Sequence, residues 1–423
     1  MENKYFFKCV KCHCSFHDLD DNWVKCPSCE GPLTVEMSID KLKSAITKKE
    51  FFNKQITSMW SFFEFLPLLN KKNIISLKEG NTPILKCKRL SSDLKLNNLF
   101  LKLEFLNPTG SFKDRQISLG ISKAIELNKK RVITMSSGNV GASVSAYSAR
   151  AGLRSIILIP SMAPEDKILQ IKQYGGNVIK INSDSTKFIS GIVEKASKKF
   201  KMANLITASL YNPFINKGAK TISYEIAIQM REFNLSIPDV LIIPVGGAGL
   251  LSSVYEGFKE LFQLKFIDKI PRLIGVQPEG CAPFVEAIQK NLEPEYLFKH
   301  PWRSINTIAT ALADDIPLDC YTGIPAVKES GGNAIMVSDK ETLNASMKLS
   351  TLEGIFAEPS SCTTIACIPK LLKNNQIKED DIILCLITGF GLKDTHSIKP
   401  ILPKSLIVEK DFDWEDLFQK ILN

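Results

Sequence analysis

The twelve residues Glu104-Phe-Leu-Asn-Pro-Thr-Gly-Ser-Phe-Lys-Asp-Arg115 join an apolar run, Asn98 to Leu103, to a helical pattern that continues to about Leu127. The apolar run reads as a strand. Pro108 and Gly110 break the chain after it, and Ser111 is the expected N-cap of the helix. Lys113 therefore falls in the first helical turn. The partial positive potential there disfavours the ammonium form and keeps the amine nucleophilic. A lysine so placed can form a Schiff base with a carbonyl cofactor, of which pyridoxal phosphate is the usual one. The same residues would also suit a plain solvated lysine at a helix start, so the reading turns on three further segments.

Pro244-Val-Gly-Gly-Ala-Gly-Leu-Leu251 follows a short apolar strand and opens a helix. Its glycines let several backbone N–H groups converge, and the helix N-terminus favours an anion, so by mechanism it is a phosphate cradle. It is not the dinucleotide fingerprint, which has another glycine spacing and an acidic partner downstream. Ser136-Ser-Gly-Asn-Val-Gly-Ala-Ser143 also joins a strand to a helix. Its hydroxyls and amides suit a carboxylate, and Asn139 can donate to a phenolic oxygen on a cofactor ring. Thr388-Gly-Phe-Gly-Leu-Lys-Asp394 comes directly after the apolar strand Ile382 to Ile387. There a threonine hydroxyl can face a ring nitrogen and, unlike a carboxylate, leave it largely unprotonated. All four pieces lie at the carboxyl ends of predicted strands, where open α/β sheets bind ligands.

Further strands are predicted at Arg131–Met135, Ser155–Ile159, Asn177–Ile181, Val240–Val245 and Arg272–Val276. Helical patterns fall between them, near 140–151, 164–174, 216–232, 249–263 and 341–353. This alternation implies an α/β protein with open sheets and crossover helices. The aromatic-rich stretch from 40 to 75 reads as packing rather than as a binding surface.

The first 34 residues carry Cys9-x-x-Cys12 and Cys26-Pro-Ser-Cys29 with thirteen residues between the pairs. Two such knuckles can offer zinc four thiolates, a structural set without an open position for catalysis. Cys14, His13 and His17 stand near enough to substitute. His13 and Glu30 occupy positions where ribbons usually have glycine, which strains the knuckles.

The composition, 44% apolar and 23% charged, is that of an ordinary globular protein. The net charge of +9 is spread along all 423 residues and forms no basic cluster with aromatics, which argues against nucleic acid. No apolar run is long enough to span a membrane, and the start lacks the pattern of a signal peptide. Of eleven cysteines, six are scattered without a disulfide pattern, so a cytoplasmic location is expected. None of the four histidines (13, 17, 300 and 396) falls inside the four pieces, which counts against a histidine-centred hydrolase.

Taken in order, these motifs resemble threonine synthase and its close relatives, pyridoxal-phosphate enzymes of the tryptophan-synthase-β-like fold, fold type II. The resemblance runs from the cysteine ribbon through Leu77–Pro83, Asn107–Arg115, Ser136–Gly152, Gly218–Thr221, Pro244–Leu251, Val276–Pro283 and Glu353–Ser361 to Thr388–Asp394. It implies a zinc-ribbon-like module at 1–34, a large cofactor-binding α/β domain at 35–105 and 206–423, and a small α/β domain at 106–205. It implies that Lys113 is the Schiff-base lysine and general base, and that Asn139 meets the phenolic oxygen. Gly246, Gly247, Ala248, Gly249 and Leu250 would hold the phosphate, and Thr388 would face the ring nitrogen. Ser136, Ser137, Gly138 and Lys167 would meet the substrate, and Cys9, Cys12, Cys26 and Cys29 a structural zinc.

The activity implied is conversion of O-phospho-L-homoserine and water to L-threonine and phosphate, by an enzyme that needs no membrane and for which a homodimer is common in the fold. Two positions depart from the family pattern. Phe390 stands where histidine is usual, and Phe214-Ile-Asn-Lys217 follows Asn212-Pro213 where an arginine is usual. Lys217 is an imperfect substitute for that arginine, because it lacks the bidentate fork. These departures leave open a relative acting by β-replacement on O-phosphoserine, like a cysteate synthase, or a serine/threonine dehydratase. An inactive binding protein is a third alternative, opposed by the intact Lys113, Asn139, glycine loop and Thr388.

Overall fold

The computed structural model describes residues 4–17, 25–163, 165–183, 185–411 and 413–422. Three sheets organise it. The small N-terminal sheet has β1 (Tyr5–Cys9) between β2 (Ser15–Phe16) and β3 (Leu33–Met37), both antiparallel to it. Two larger sheets follow, built from β4 (Ile84–Lys86), β5 (Asn98–Lys102), β6 (Arg131–Met135), β7 (Arg154–Pro160), β8 (Asn177–Ile181), β9 (Ala203–Asn204), β10 (Val240–Pro244), β11 (Arg272–Pro278), β12 (Asn333–Val337) and β13 (Ile382–Leu386). One has the order β12-β11-β10-β13-β5-β4, the other β8-β7-β6-β9. Every pairing in them is parallel except β4 with β5.

Parallel strands are joined by crossover helices that cover both faces, so central strands read as continuous apolar runs. In β10, Val-Leu-Ile-Ile-Pro is buried throughout. The strands and helices expected from the alternation are present with ends shifted by a residue or two, except that the pattern at 216–232 divides into the α-helix Thr221–Gln229 between 3-10 turns at Ile215–Gly218 and Met230–Phe233. Short β4 and β9, and β12 with its mixed composition, were not expected. No helix among the described residues is long and apolar enough to cross a membrane.

The N-terminal sheet has no core of its own. Tyr5, Phe7, Leu33, Val35 and Met37 share one apolar cluster with Phe214 and Tyr224 of the main body. The Tyr5 and Phe7 rings meet the Phe214 ring edge-on at 5.8 and 5.6 Å. So small a sheet buries its inner face only by docking.

The helix carrying the key lysine runs Lys113–Glu126, but Ser111 does not cap it. Phe112 holds the cap position without a side-chain bond, and Ser111 Oγ is buried without a partner. The reason is tertiary. Ser111 forms a β-bridge with Gly389, and Phe112 N–H donates to the Thr388 carbonyl at 3.0 Å, so backbone from the far end of the chain decides this turn.

Two residues further on, Arg115 is wholly buried. Its Nε and Nη2 donate to Glu104 at 2.7 Å each, and its Nη1 and Nη2 donate to Glu225 at 2.6 and 2.7 Å. Lys102 Nζ donates to Glu225 at 2.7 Å, to Gln229 at 2.8 Å and to the Thr82 carbonyl at 2.6 Å. Burial alone would raise the Glu225 carboxyl, but Arg115 and Lys102 hold it down to about 2. A depressed carboxylate stabilises the fold above its ordinary pKa of 4.5, and that contribution is lost as pH falls toward 2.

Arg115→Met would leave two carboxylates buried without their fork, a loss of about 3–5 kcal/mol. Lys43→Met, which breaks only the exposed pair with Asp40, should change stability by under about 1 kcal/mol. Urea denaturation of both variants checks the contrast, and equal midpoints would show that the buried cluster is not a principal restraint.

Candidate active site

The four pieces come together. Lys113, Ser136–Asn139, Gly246–Leu250 and Thr388 line one cavity of about 1280 Å³. The last three groups leave the carboxyl ends of β6, β10 and β13, and Lys113 follows the turn after β5. Backbone bonds tie the first piece to the last, since Phe390 N–H donates to the Gly110 carbonyl at 3.0 Å alongside the Phe112–Thr388 bond.

Lys113 Nζ donates to Thr207 Oγ1 at 3.2 Å. Burial brings its pKa down to about 8, with Asp314 and Asp319 acting in the opposite sense. An amine in that range is partly neutral near physiological pH, as a nucleophile or base requires. Beside it, Asp114 accepts from Ser143 Oγ and Thr109 Oγ1 at 2.6 Å each and from Thr109 N–H at 2.7 Å. These bonds fix the first turn from which Lys113 projects.

The helix Gly249–Gln263 begins without any side-chain cap, so its first N–H groups are left for an anion. Ala248 ahead of it has φ +69°, a left-handed conformation that costs a non-glycine residue energy and turns successive amides to one side. Side chains are excluded here. A Cβ on Gly249 would lie 2.6 Å from Asp319 Oδ2, and one on Gly246 2.7 Å from Asp314 Oδ2. A bare, amide-rich helix start fits a phosphate monoester.

Asn139 Oδ1 is buried without a partner, while its Nδ2 donates to both carboxylate oxygens of Glu358 at 3.1 Å. Glu358 thus holds the donor side of the amide, and its acceptor oxygen is left without a partner. Thr388 Oγ1 is 3.0 Å from Ser361 Oγ, and Ser361 Oγ also accepts from the N–H groups of Thr388 and Gly389 at 3.1 and 2.9 Å. The residues present therefore fit pyridoxal phosphate: amine, phosphate cradle, amide and hydroxyl face one space.

Several residues in the cavity wall or directly behind it escaped the sequence reading. Glu358 and Ser361 lie in a segment singled out only as shared, and nothing local marks their roles. Lys393 Nζ donates to the Thr109 carbonyl at 2.7 Å and to Gln170 Oε1 at 2.6 Å, and burial lowers its pKa. Asp314 and His396 also line the cavity, so one histidine does stand at the site. Lys217 does not. It is buried and paired with Glu256, so it is no stand-in for an arginine facing the substrate. Phe390 packs on Phe105 with ring centroids 5.7 Å apart, filling its place with apolar contact. The expectation for Lys167 falls on a side chain outside the described residues.

Apart from this cavity, the Sγ atoms of Cys9, Cys12, Cys26 and Cys29 all lie within 4.8 Å of one another. Cys9 to Cys29 is 3.5 Å and Cys12 to Cys26 3.7 Å, too long for disulfides. Both are close to the ~3.8 Å edge of a tetrahedron with zinc–sulfur bonds of about 2.3 Å. Lys11 and Cys12 N–H donate to Cys9 Sγ and Ser28 N–H to Cys26 Sγ, each at 3.4 Å. His13 and Glu30 take φ +61° and +58°, the left-handed turn for which glycine was the expected residue. The four cysteines could hold a metal, and Cys14, His13 and His17 are not part of the cluster.

Comparison with known proteins gives a consistent result. The family model described as pyridoxal-phosphate dependent enzyme matches residues 75–389. A threonine synthase of Methanocaldococcus jannaschii is 36% identical over 407 residues, which cover 96% of this chain and 97% of that one. A threonine synthase of Methanosarcina acetivorans is 32% identical over 411 residues, covering 97% of each chain. Among solved structures, a serine racemase from Dictyostelium discoideum superposes with a TM-score of 0.60 at 26% identity, over 74% of this chain and 92% of that one.

The tightest steric condition at the site is set by Gly389, where a Cβ would fall 2.1 Å from Glu358 Oε2. Gly389→Ala must displace the carboxylate that holds Asn139. The expected result is a folded protein, destabilised by about 1–3 kcal/mol, with its cofactor absorbance reduced. Cofactor content per chain, measured by absorbance after dialysis, checks this, and full retention would show that Glu358 is dispensable to the site.

Proposed function

Since the chain belongs to the threonine synthase family of pyridoxal-phosphate dependent enzymes, we propose that it converts O-phospho-L-homoserine and water to L-threonine and phosphate at this cavity. The observation that carries the reading is the convergence of Lys113, Asn139, the 246–250 loop and Thr388 on a single space.

Bound pyridoxal phosphate supplies an electron sink for charge developing on the substrate's carbon skeleton. The amides of Gly246, Gly247, Ala248, Gly249 and Leu250 would hold its phosphate, and Thr388 Oγ1 would face its ring nitrogen. Asn139 Nδ2 would turn one of its two N–H groups from Glu358 to its phenolic oxygen, and the other would keep the bond to Glu358 that fixes the plane of the amide. Ser136, Ser137 and Gly138 would receive the substrate carboxylate, orienting the α carbon toward Lys113. Lys113 Nζ would hold the cofactor's aldehyde carbon and, once the substrate amine is there instead, would take the proton from the α carbon and move protons at the β and γ carbons. Thr207 gives the free amine a resting partner. Phosphate would leave from the γ carbon as a β proton is removed; a proton would then be returned to the γ carbon, water would add at the β carbon, and the α carbon would regain its proton.

The small N-terminal sheet supports a second, structural proposal: Cys9, Cys12, Cys26 and Cys29 hold one zinc ion. Within the cluster burial pushes the Cys9 thiol up to about 12, while the Ser28 and Cys29 amides bring Cys26 down to about 7 against its own burial, so Cys26 is the readier of the two to supply a thiolate.

Two measurements test these readings. Cofactor-loaded protein given O-phospho-L-homoserine should release threonine and phosphate in equal amounts, and Lys113→Ala should lower kcat by about 10²–10⁴-fold or more. Consumption of O-phosphoserine or serine in its place would move the enzyme to β-replacement or dehydration. Elemental analysis should find one zinc per chain, lost in Cys26→Ser together with a lower Tm, because binding energy at such a site is folding energy. A zinc-free wild-type protein of unchanged stability would reduce the cluster to a metal-less fold.

A further inference from the structure

Asp314 stands where the phosphate cradle is bare. Its Oδ2 would lie 2.7 Å from a Cβ on Gly246 and 3.5 Å from one on Gly247, so it occupies the space those glycines leave. The carboxylate is turned to the cavity, which it lines together with Lys113 and the 246–250 loop. Nearby Asp319 is differently placed, because its oxygens accept from Ser209 N–H and Asn216 Nδ2 at 2.8 Å each. The charged groups facing Asp314 are Lys113, from the helix that opens the site, and Asp315 and Asp319 from its own segment. The loop across from it offers only glycine, alanine and leucine.

A phosphate monoester has a second pKa of about 6 and is close to doubly charged at neutral pH. Two acids held against the same loop each oppose the other's ionisation, and the pair titrates as a unit. We propose that Asp314 is a further residue of the cofactor site, sharing one proton with the bound phosphate monoester. Protonated, its carboxyl donates to a phosphate oxygen; ionised, it repels the phosphate. Although the side chain faces the cavity, the protein around it raises its pKa to about 6, with Lys113 opposing. Cofactor phosphate will raise it further, so the hold on the cofactor weakens as pH rises through the neutral range. The proposal rests on the phosphate placement given above.

The test uses holoenzyme reduced with borohydride, which ties the cofactor to Lys113 and removes the pH dependence of that bond. Phosphorus NMR then follows the bound phosphate from acid to alkaline pH in the wild type and in Asp314→Asn. The wild-type midpoint is expected to lie about one unit or more above that of the variant. Coincident midpoints overturn the proposal. Asp314→Ser provides the same comparison if the asparagine variant does not fold. Mass spectrometry of the reduced protein separates the two levels of the argument. A cofactor fixed elsewhere than on Lys113 refutes the site assignment itself, and one fixed on Lys113 with coincident midpoints refutes only the role of Asp314.

Discussion

The fork of Arg115 between Glu104 and Glu225 is the restraint on which the site depends. Arg115 is two residues beyond Lys113, in the first turns of the same helix. Glu104 comes from the turn after β5, and Glu225 from the helix Thr221–Gln229 that precedes β10. One planar cation thus sets the helix carrying the reactive lysine against both neighbours of the cavity. Replacing such a cluster by apolar residues can be neutral or stabilising, so its value here is read as geometric. Lys113 needs a fixed start for a long side chain, and a five-donor fork with two bidentate acceptors allows little rotation.

Close backbone approach does the rest of the positioning. A Cβ on Gly218 would fall 2.0 Å from the Arg115 carbonyl, so the segment before the Glu225 helix packs directly on the Lys113 helix. Gly141 plays the same part on the other side, where a Cβ would be 2.4 Å from the Ser136 carbonyl. At these two positions the glycine serves close backbone approach rather than flexibility. Contact that close transmits position well, because neither backbone can shift without the other.

How much of this could be read beforehand follows from what is local. The strands, most of the helices and the meeting of Ser136, Asn139, Gly246 and Thr388 in one cavity were legible, because each motif follows an apolar run and carboxyl ends of parallel strands share one edge. The cap at Ser111 was misjudged because Gly389, far along the chain, claims that residue's backbone. Glu358 and Asp314 were missed for the same reason, since their meaning depends on what faces them. Lys217 was misplaced because its partner, the half-buried Glu256, lies on a helix that no pattern near residue 217 announces. Periodicity reports which face is apolar, but it is silent on which polar groups meet across elements.

The two departures from the family pattern can now be weighed against the charges in the cavity. With Lys217 turned to Glu256 and Phe390 packed on Phe105, neither position presents a cation to a substrate. Among the described residues, the cavity is lined by the cationic or basic side chains of Lys113, Lys393 and His396. Lys393 already donates to Thr109 and Gln170, which joins it to the helix Glu165–Gln173. A substrate phosphate drawing on Lys393 would compete with those two bonds, so its binding and the seating of that helix are one equilibrium. His396, exposed at the end of the Thr388 segment, carries no such prior commitment to a hydrogen-bonded helix. A substrate phosphate in this cavity would therefore meet separate point donors in place of one rigid fork, which favours adjustable over bidentate recognition.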